Sequence, residues 1–201
     1  MKLLLILSLS MSVAYSAITL LEYNTALPTH PANTALPGTT TLIPSYEEEG
    51  FTTFPSSGLP LVGDMTANRP QNGTAYIQVL SGQTFDVYSS SGGLFDALSV
   101  DLAEYSTLFA TPQTISFTGT LDGGATVNTS FQLDGNLGVT GIADFETFSF
   151  PATFTSLTNL RANTGLFSLD NITLQAVPEV STTVLFTLGS IVILFRRRLS
   201  R

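Results

Sequence analysis

Between Thr114 and Leu133 the chain alternates apolar and polar residues on both sides of a tight turn, and no other stretch restricts the fold as much. Ile115, Phe117, Gly119 and Leu121 alternate with Thr114, Ser116, Thr118 and Thr120. Asp122-Gly123-Gly124 follows, and then Val127, Thr129, Phe131 and Leu133 alternate with Asn128, Ser130 and Gln132. Successive strand side chains point to opposite faces, so this period of two gathers the apolar set on one face. With Asp-Gly between two such runs, an antiparallel hairpin is predicted. Further strands are expected at Ile18 to Tyr23, Tyr46 to Phe54 around Gly50, Gly73 to Leu80, Thr84 to Tyr88, Phe145 to Phe150, Ser156 to Ala162 and Leu166 to Leu174. Leu94 to Tyr105 alternates imperfectly and fits a strand or a short helical turn. Ala26 to Pro44, rich in Thr, Pro, Asn and Ala, reads as a long irregular loop or edge segment. No window carries sustained helical periodicity with caps. Short strands between Gly, Asn, Ser and Pro turns predict an all-β, antiparallel β-sandwich of jelly-roll-like form.

The two ends follow other rules. Met1-Lys2 is a minimal basic start, Leu3 to Leu9 an apolar stretch broken by Ser8, and Ala14-Tyr15-Ser16 supplies small residues for cleavage between Ser16 and Ala17. Residues 1–16 therefore read as a secretory signal peptide, residues 17–177 as the sandwich domain, and residues 178–201 as a separate tail. In the tail an uncharged, mostly apolar run from Val184 to Phe195 precedes Arg196, Arg197 and Arg198. As a transmembrane helix the run would be roughly 18 Å long, short against a hydrocarbon core of about 30 Å. The arginines would stay on the cytoplasmic side. Such a segment suits a transient membrane anchor better than a lasting one.

Val177, Pro178, Glu179, Ser181 and Thr182, then Gly189 within the apolar run, then Arg196 to Arg198, resemble a PEP-CTERM sorting signal. Val180 stands where that family usually has a second proline. The resemblance implies recognition and cleavage by an exosortase-type enzyme, transient anchoring in the inner membrane, and delivery to the cell envelope, outer surface or extracellular matrix. A second resemblance lies in the body. LFDALSVDLAEY at 94–105, ISFTGTLDGG at 115–124, DFETFSFPATFTSLTNL at 144–160 and SLDNITL at 168–174 are similar to the jelly-roll domain of PEP-CTERM proteins and to galactose-binding-like sandwiches. That likeness implies a structural Ca2+ tying an early loop to the last strand, with Asp170 and an acid of the Glu47 to Glu49 run, Glu47 first, as its ligands.

Charge narrows the function classes. Once both ends are set aside, the body holds Arg69 and Arg161 against fourteen carboxylates. A surface this acidic cannot neutralise phosphates, which excludes nucleic acid as a partner. The body has no lysine and the chain no cysteine, so Schiff-base chemistry, disulfides and thiolate sites are absent. His30 is the only histidine. It lies between prolines, and no Gly-x-Ser-x-Gly elbow accompanies it. Glu47, Glu48, Glu49, Asp144 and Glu146 could supply a glycosidase pair, but there is no tryptophan to stack a sugar, and a Glu run reads more simply as a solvated edge. Asp170-Asn171 fits equally a turn or bulge that bonds its own backbone. Asn72-Gly73-Thr74, Asn128-Thr129-Ser130 and Asn171-Ile172-Thr173 match the glycosylation pattern, which carries little weight in a bacterial export context. Two functions follow. One is a non-enzymatic envelope or matrix protein. The other is a carbohydrate-binding module of the same fold that meets extracellular polysaccharide, and exposed tyrosines lining a groove with Asn, Asp and Arg161 would favour it.

Overall fold

The computed structural model describes residues 16–23, 40–56, 58–63, 66–138, 141–163 and 165–178. Residues 1–15 of the expected signal peptide, His30, and Glu179, Ser181, Thr182, Gly189 and Arg196 to Arg198 of the expected sorting motif lie outside the described residues. Among the described residues no helix is long and apolar enough to cross a membrane.

Thirteen strands form among these residues, many of them with hydrophobic alternation. They are β1 (Ile18–Leu21), β2 (Thr40–Ile43), β3 (Tyr46–Glu48), β4 (Phe51–Pro55), β5 (Leu59–Val62), β6 (Tyr76–Val79) and β7 (Phe85–Ser89). After them come β8 (Phe95–Glu104), β9 (Gln113–Leu121), β10 (Thr126–Leu133), β11 (Glu146–Ser149), β12 (Leu157–Ala162) and β13 (Phe167–Ala176). All their pairings are antiparallel. One layer runs β2-β5-β6-β13-β8-β11, with β1 beside the later half of β13. The other runs β3-β4-β7-β12-β9-β10. A single register pair, Leu157 with Phe95, joins the two. This compact unit spans Ala17–Val177.

The β9–β10 hairpin sets Val127 opposite Gly119, Thr129 opposite Phe117 and Phe131 opposite Ile115. Its inward face feeds an aromatic cluster. Phe117 meets Phe150 at 5.2 Å, Phe131 stacks on Phe148 at 5.0 Å, and Phe150 lies 5.1 Å from Phe154. Edge-to-face and offset stacking of this kind adds to the burial of apolar area. On the other side of the core, Phe51 and Phe95 cross edge-on at 5.4 Å.

Several local expectations are refined. Within residues 94–105, Phe95–Glu104 form a strand and not a helical turn. Tyr46 to Phe54 is two strands around a turn at Glu49 and Gly50, both at positive φ. The last part of the Thr/Pro-rich segment is edge strand β2. Strand β5 was not foreseen, because Leu59-Pro60-Leu61-Val62 does not alternate and proline argues against a strand interior.

Candidate functional site

The register between β13 and β8 shifts on either side of Thr173, and this local irregularity organises the outer face of that layer. From the pair Asp170–Asp101 to the pair Thr173–Ser99 β13 advances three residues while β8 advances two, and the next pair, Leu174–Ala97, restores the register. The irregularity is a local bulge that adds no net residue to β13. Asn171 sits in it at φ 48°, a left-handed conformation that asparagine tolerates better than most residues. Its backbone N–H bonds Asp170 Oδ1 at 2.9 Å, and its side-chain amide donates to Asp101 Oδ2 at 2.8 Å. From the other side, Thr147 of β11 donates to Asp101 Oδ1 at 2.6 Å. The Asp101 carboxylate is thus held between neighbours on both sides.

Asp170 lies deeper. It is buried, and the Asn72–Thr74 turn reaches it: Asn72 Nδ2 donates to Oδ2 at 2.6 Å, and the Thr74 hydroxyl lies 2.8 Å from the same oxygen. Burial pushes the Asp170 carboxyl up to about 7, against the pull of the bonds from Asn72, Thr74 and Asn171, with the charge of Asp101 adding to the rise. The Thr74 hydroxyl also lies 2.7 Å from Asn72 Oδ1. It has one proton for two acceptors, and a proton on Asp170 relieves that competition.

Above these residues lies an open groove of about 600 Å³. Its wall carries Glu22, Asn72, Thr74, Asp101, Thr147 and Asn171 beside the apolar Leu20 and Phe145. The Phe145 ring is braced edge-on by Tyr76 at 5.3 Å. Hydrogen-bonding groups beside an aromatic ring and an aliphatic side chain match a sugar, which offers hydroxyls at its rim and C–H groups on its faces.

The sequence-derived candidates fall in several places. Glu47 is exposed on β3, whereas Glu48 is buried and its Oε2 accepts from Glu22 N at 2.9 Å and Tyr23 N at 3.1 Å. Alternation turns Glu47 to the opposite side of β3 from buried Glu48, and both Asp170 oxygens accept hydrogen bonds from protein groups. Asp170 holds a turn over the bulge. Arg161 belongs to the other layer, where Nε and Nη2 meet Asp86 at 2.8 and 3.1 Å and Asn159 joins the same carboxylate. Tyr88 is exposed on β7 near them, but Tyr23, Tyr46 and Tyr76 are buried, so no row of tyrosines lines the groove. Val177 is tied to Leu94 O by its N–H at 2.9 Å, Pro178 is exposed, and Ala17 O accepts from Ala176 N at 3.2 Å. Asp101, Thr147, Asn72 and Thr74 were missed. The available signal was Asp101, a carboxylate between Val100 and Leu102 in the middle of β8.

No family model matches the chain, and neither does any curated protein. Among solved structures it is similar to the family 11 carbohydrate-binding module from Clostridium thermocellum in complex with a β-1,3-1,4-mixed-linked tetrasaccharide. That alignment has 11% identity and a TM-score of 0.32 over 81% of this chain and 96% of that one. It is also similar to the family 11 module of the cellulosomal cellulase Lic26A-Cel5E of Clostridium thermocellum, at 11% identity and a TM-score of 0.27 over 71% of this chain and 98% of that one.

Proposed function

We propose that this chain is an exported, non-catalytic protein of the cell envelope or extracellular matrix whose sandwich binds a neutral polysaccharide in the groove. The observation that carries this is the wall itself, where Asp101 is fixed between Thr147 and Asn171 next to Leu20 and the braced Phe145 ring. Preorganised polar groups lose little freedom on binding, which favours a flexible glycan. Neutral sugar fits better than a polyanion. Arg161 is paired with Asp86, and Arg69 sits 4.1 Å over the Tyr105 ring and bonds its hydroxyl. Binding without reaction fits the carboxylates, since Asp101 accepts at both oxygens and Asp170 is buried. Delivery rests on the tail, where Val177 to Thr182, the apolar run and Arg196 to Arg198 have the order of a sorting signal read by an exosortase-type enzyme.

A glycan array with the intact chain, followed by titration of the best hit, tests the groove. The double change Asp101→Asn, Thr147→Ala is expected to weaken binding at least about tenfold, roughly 1.4 kcal/mol. Arg161→Ala in the other layer leaves binding unchanged. Empty arrays, or equal affinity in the double variant, would leave only the structural role in the envelope.

A further inference from the structure

Away from the groove, Glu104 ends β8 as a fully buried carboxylate. Its Oε1 accepts from Gly135 N at 2.9 Å, while Oε2 is buried with no hydrogen-bond partner. A buried charge left in that condition is costly unless something neutralises it. No arginine among the described residues does so, since Arg69 and Arg161 are engaged elsewhere. What surrounds Glu104 is further negative charge. Asp134 and Glu146 each bring a carboxylate oxygen so that the three groups' oxygens lie within 4.8 Å of one another.

The backbone holds this arrangement together. Asp134 follows β10 and Glu146 opens β11. The chain between them folds back on itself, with a bridge between Leu137 and Ala143 and with Gly138 N donating to Ile142 O at 2.8 Å. Asp134 accepts from Asn136 N and Nδ2 at 2.7 and 2.8 Å, and its own N–H reaches toward Glu146 Oε1 at 3.5 Å. Gly135, at φ 76°, passes so close to Pro112 that any side chain there would collide with it. The loop is therefore fixed against Glu104 and is not a loose acidic strip. Burial and mutual repulsion raise the carboxyls of Glu104 and Glu146 above the usual range.

We propose that Glu104, Asp134 and Glu146 bind a hard divalent cation of the calcium class. Three carboxylates with oxygens within 4.8 Å of one another, beside the unpaired Glu104 Oε2 shielded from water, suit an ion that takes six to eight oxygens, with backbone carbonyls and water completing the shell. The absence of His and Cys ligands disfavours zinc or copper. The site is separate from Asp170 and Glu47 and does not depend on glycan binding.

The test is calorimetric titration of the chelator-stripped intact chain with CaCl2, with thermal melting in CaCl2, MgCl2 and EDTA alongside. One saturable calcium site and a calcium-dependent rise in melting temperature are expected. Asp134→Asn with Glu146→Gln should weaken affinity at least tenfold, and both positions are exposed or half-buried, so the variant folds. Glu47→Gln should bind as the parent does. No calcium heat and no melting shift in the parent would overturn the proposal. So would binding that survives the double change, because the ion would then sit elsewhere.

Discussion

Asp170 has a titration with consequences for the whole domain. An unfolded aspartate loses its proton near 3.9, whereas the folded one holds it up to about 7 because burial disfavours the charge. Between those values the folded state keeps a proton that the unfolded state has lost. Stability is therefore full below about pH 4, falls as pH rises through the window by about 1.4 kcal/mol per pH unit, and levels off above the folded value. Glu104 and Glu146 are raised too and act in the same direction. Melting in chelator at pH 4.5 and 7.5 should give a lower transition at the higher pH. Asp170→Asn keeps the shape of the neutral acid and should flatten most of that slope. An unchanged slope in the variant would mean that Asp170 is ionised throughout.

At the scale of the element, Gly119 shows how a strand residue can make room for side chains from the neighbouring strands β10 and β12 of its own layer. A methyl group there would come within 2.8 Å of Leu157 Cδ2 and 3.0 Å of Val127 Cγ2. Leu157 can give way, but Phe154 at 3.3 Å limits where it goes. Gly119→Ala is expected to cost about 1–3 kcal/mol by overpacking. In urea this would lower the midpoint without changing the slope, and an unshifted midpoint would show that the pocket has slack. The hairpin around Gly119 was legible from sequence because its alternation is strict and its turn is local. Strand β5 was not, since Pro60 interrupts it and its partners β2 and β6 come from segments without clear periodicity. The groove was half legible. Asp170-Asn171 suggested a bulge, but Asn72 and Asp101, which complete the network, lie far away in the chain and meet it only through the pairing of β13 with β6 and β8. The Glu104 cluster was hidden for the same reason. Glu146 was singled out by its chemistry, yet nothing local says that β11 pairs with β8 and sets it opposite Leu102, two residues from Glu104.

For the whole molecule, the two ends of the sandwich decide how a tail could be read without disturbing the body. The last strand is held in place up to its end, with Ala176 N on Ala17 O and Val177 N on Leu94 O. Pro178 follows the end of β13 at Ala176 and has no N–H with which to extend the ladder. Changing Pro178 and Glu179 should therefore leave the melting temperature of the sandwich unchanged, because Pro178 is exposed, has no N–H to donate, and lies beyond the last strand. It should nevertheless block processing if an exosortase-type enzyme reads this motif. Neutralising Arg196 to Arg198 should act differently, weakening retention and orientation at the membrane, since those charges resist translocation. Intact mass of the surface form, in a host that carries the sorting enzyme, separates the cases. A mature chain shortened near Pro178 in the parent, but full to Arg201 in the Pro178→Ala, Glu179→Ala variant, is the expected result. A parent that still ends at Arg201, unaffected by those changes, would make the tail a plain membrane anchor.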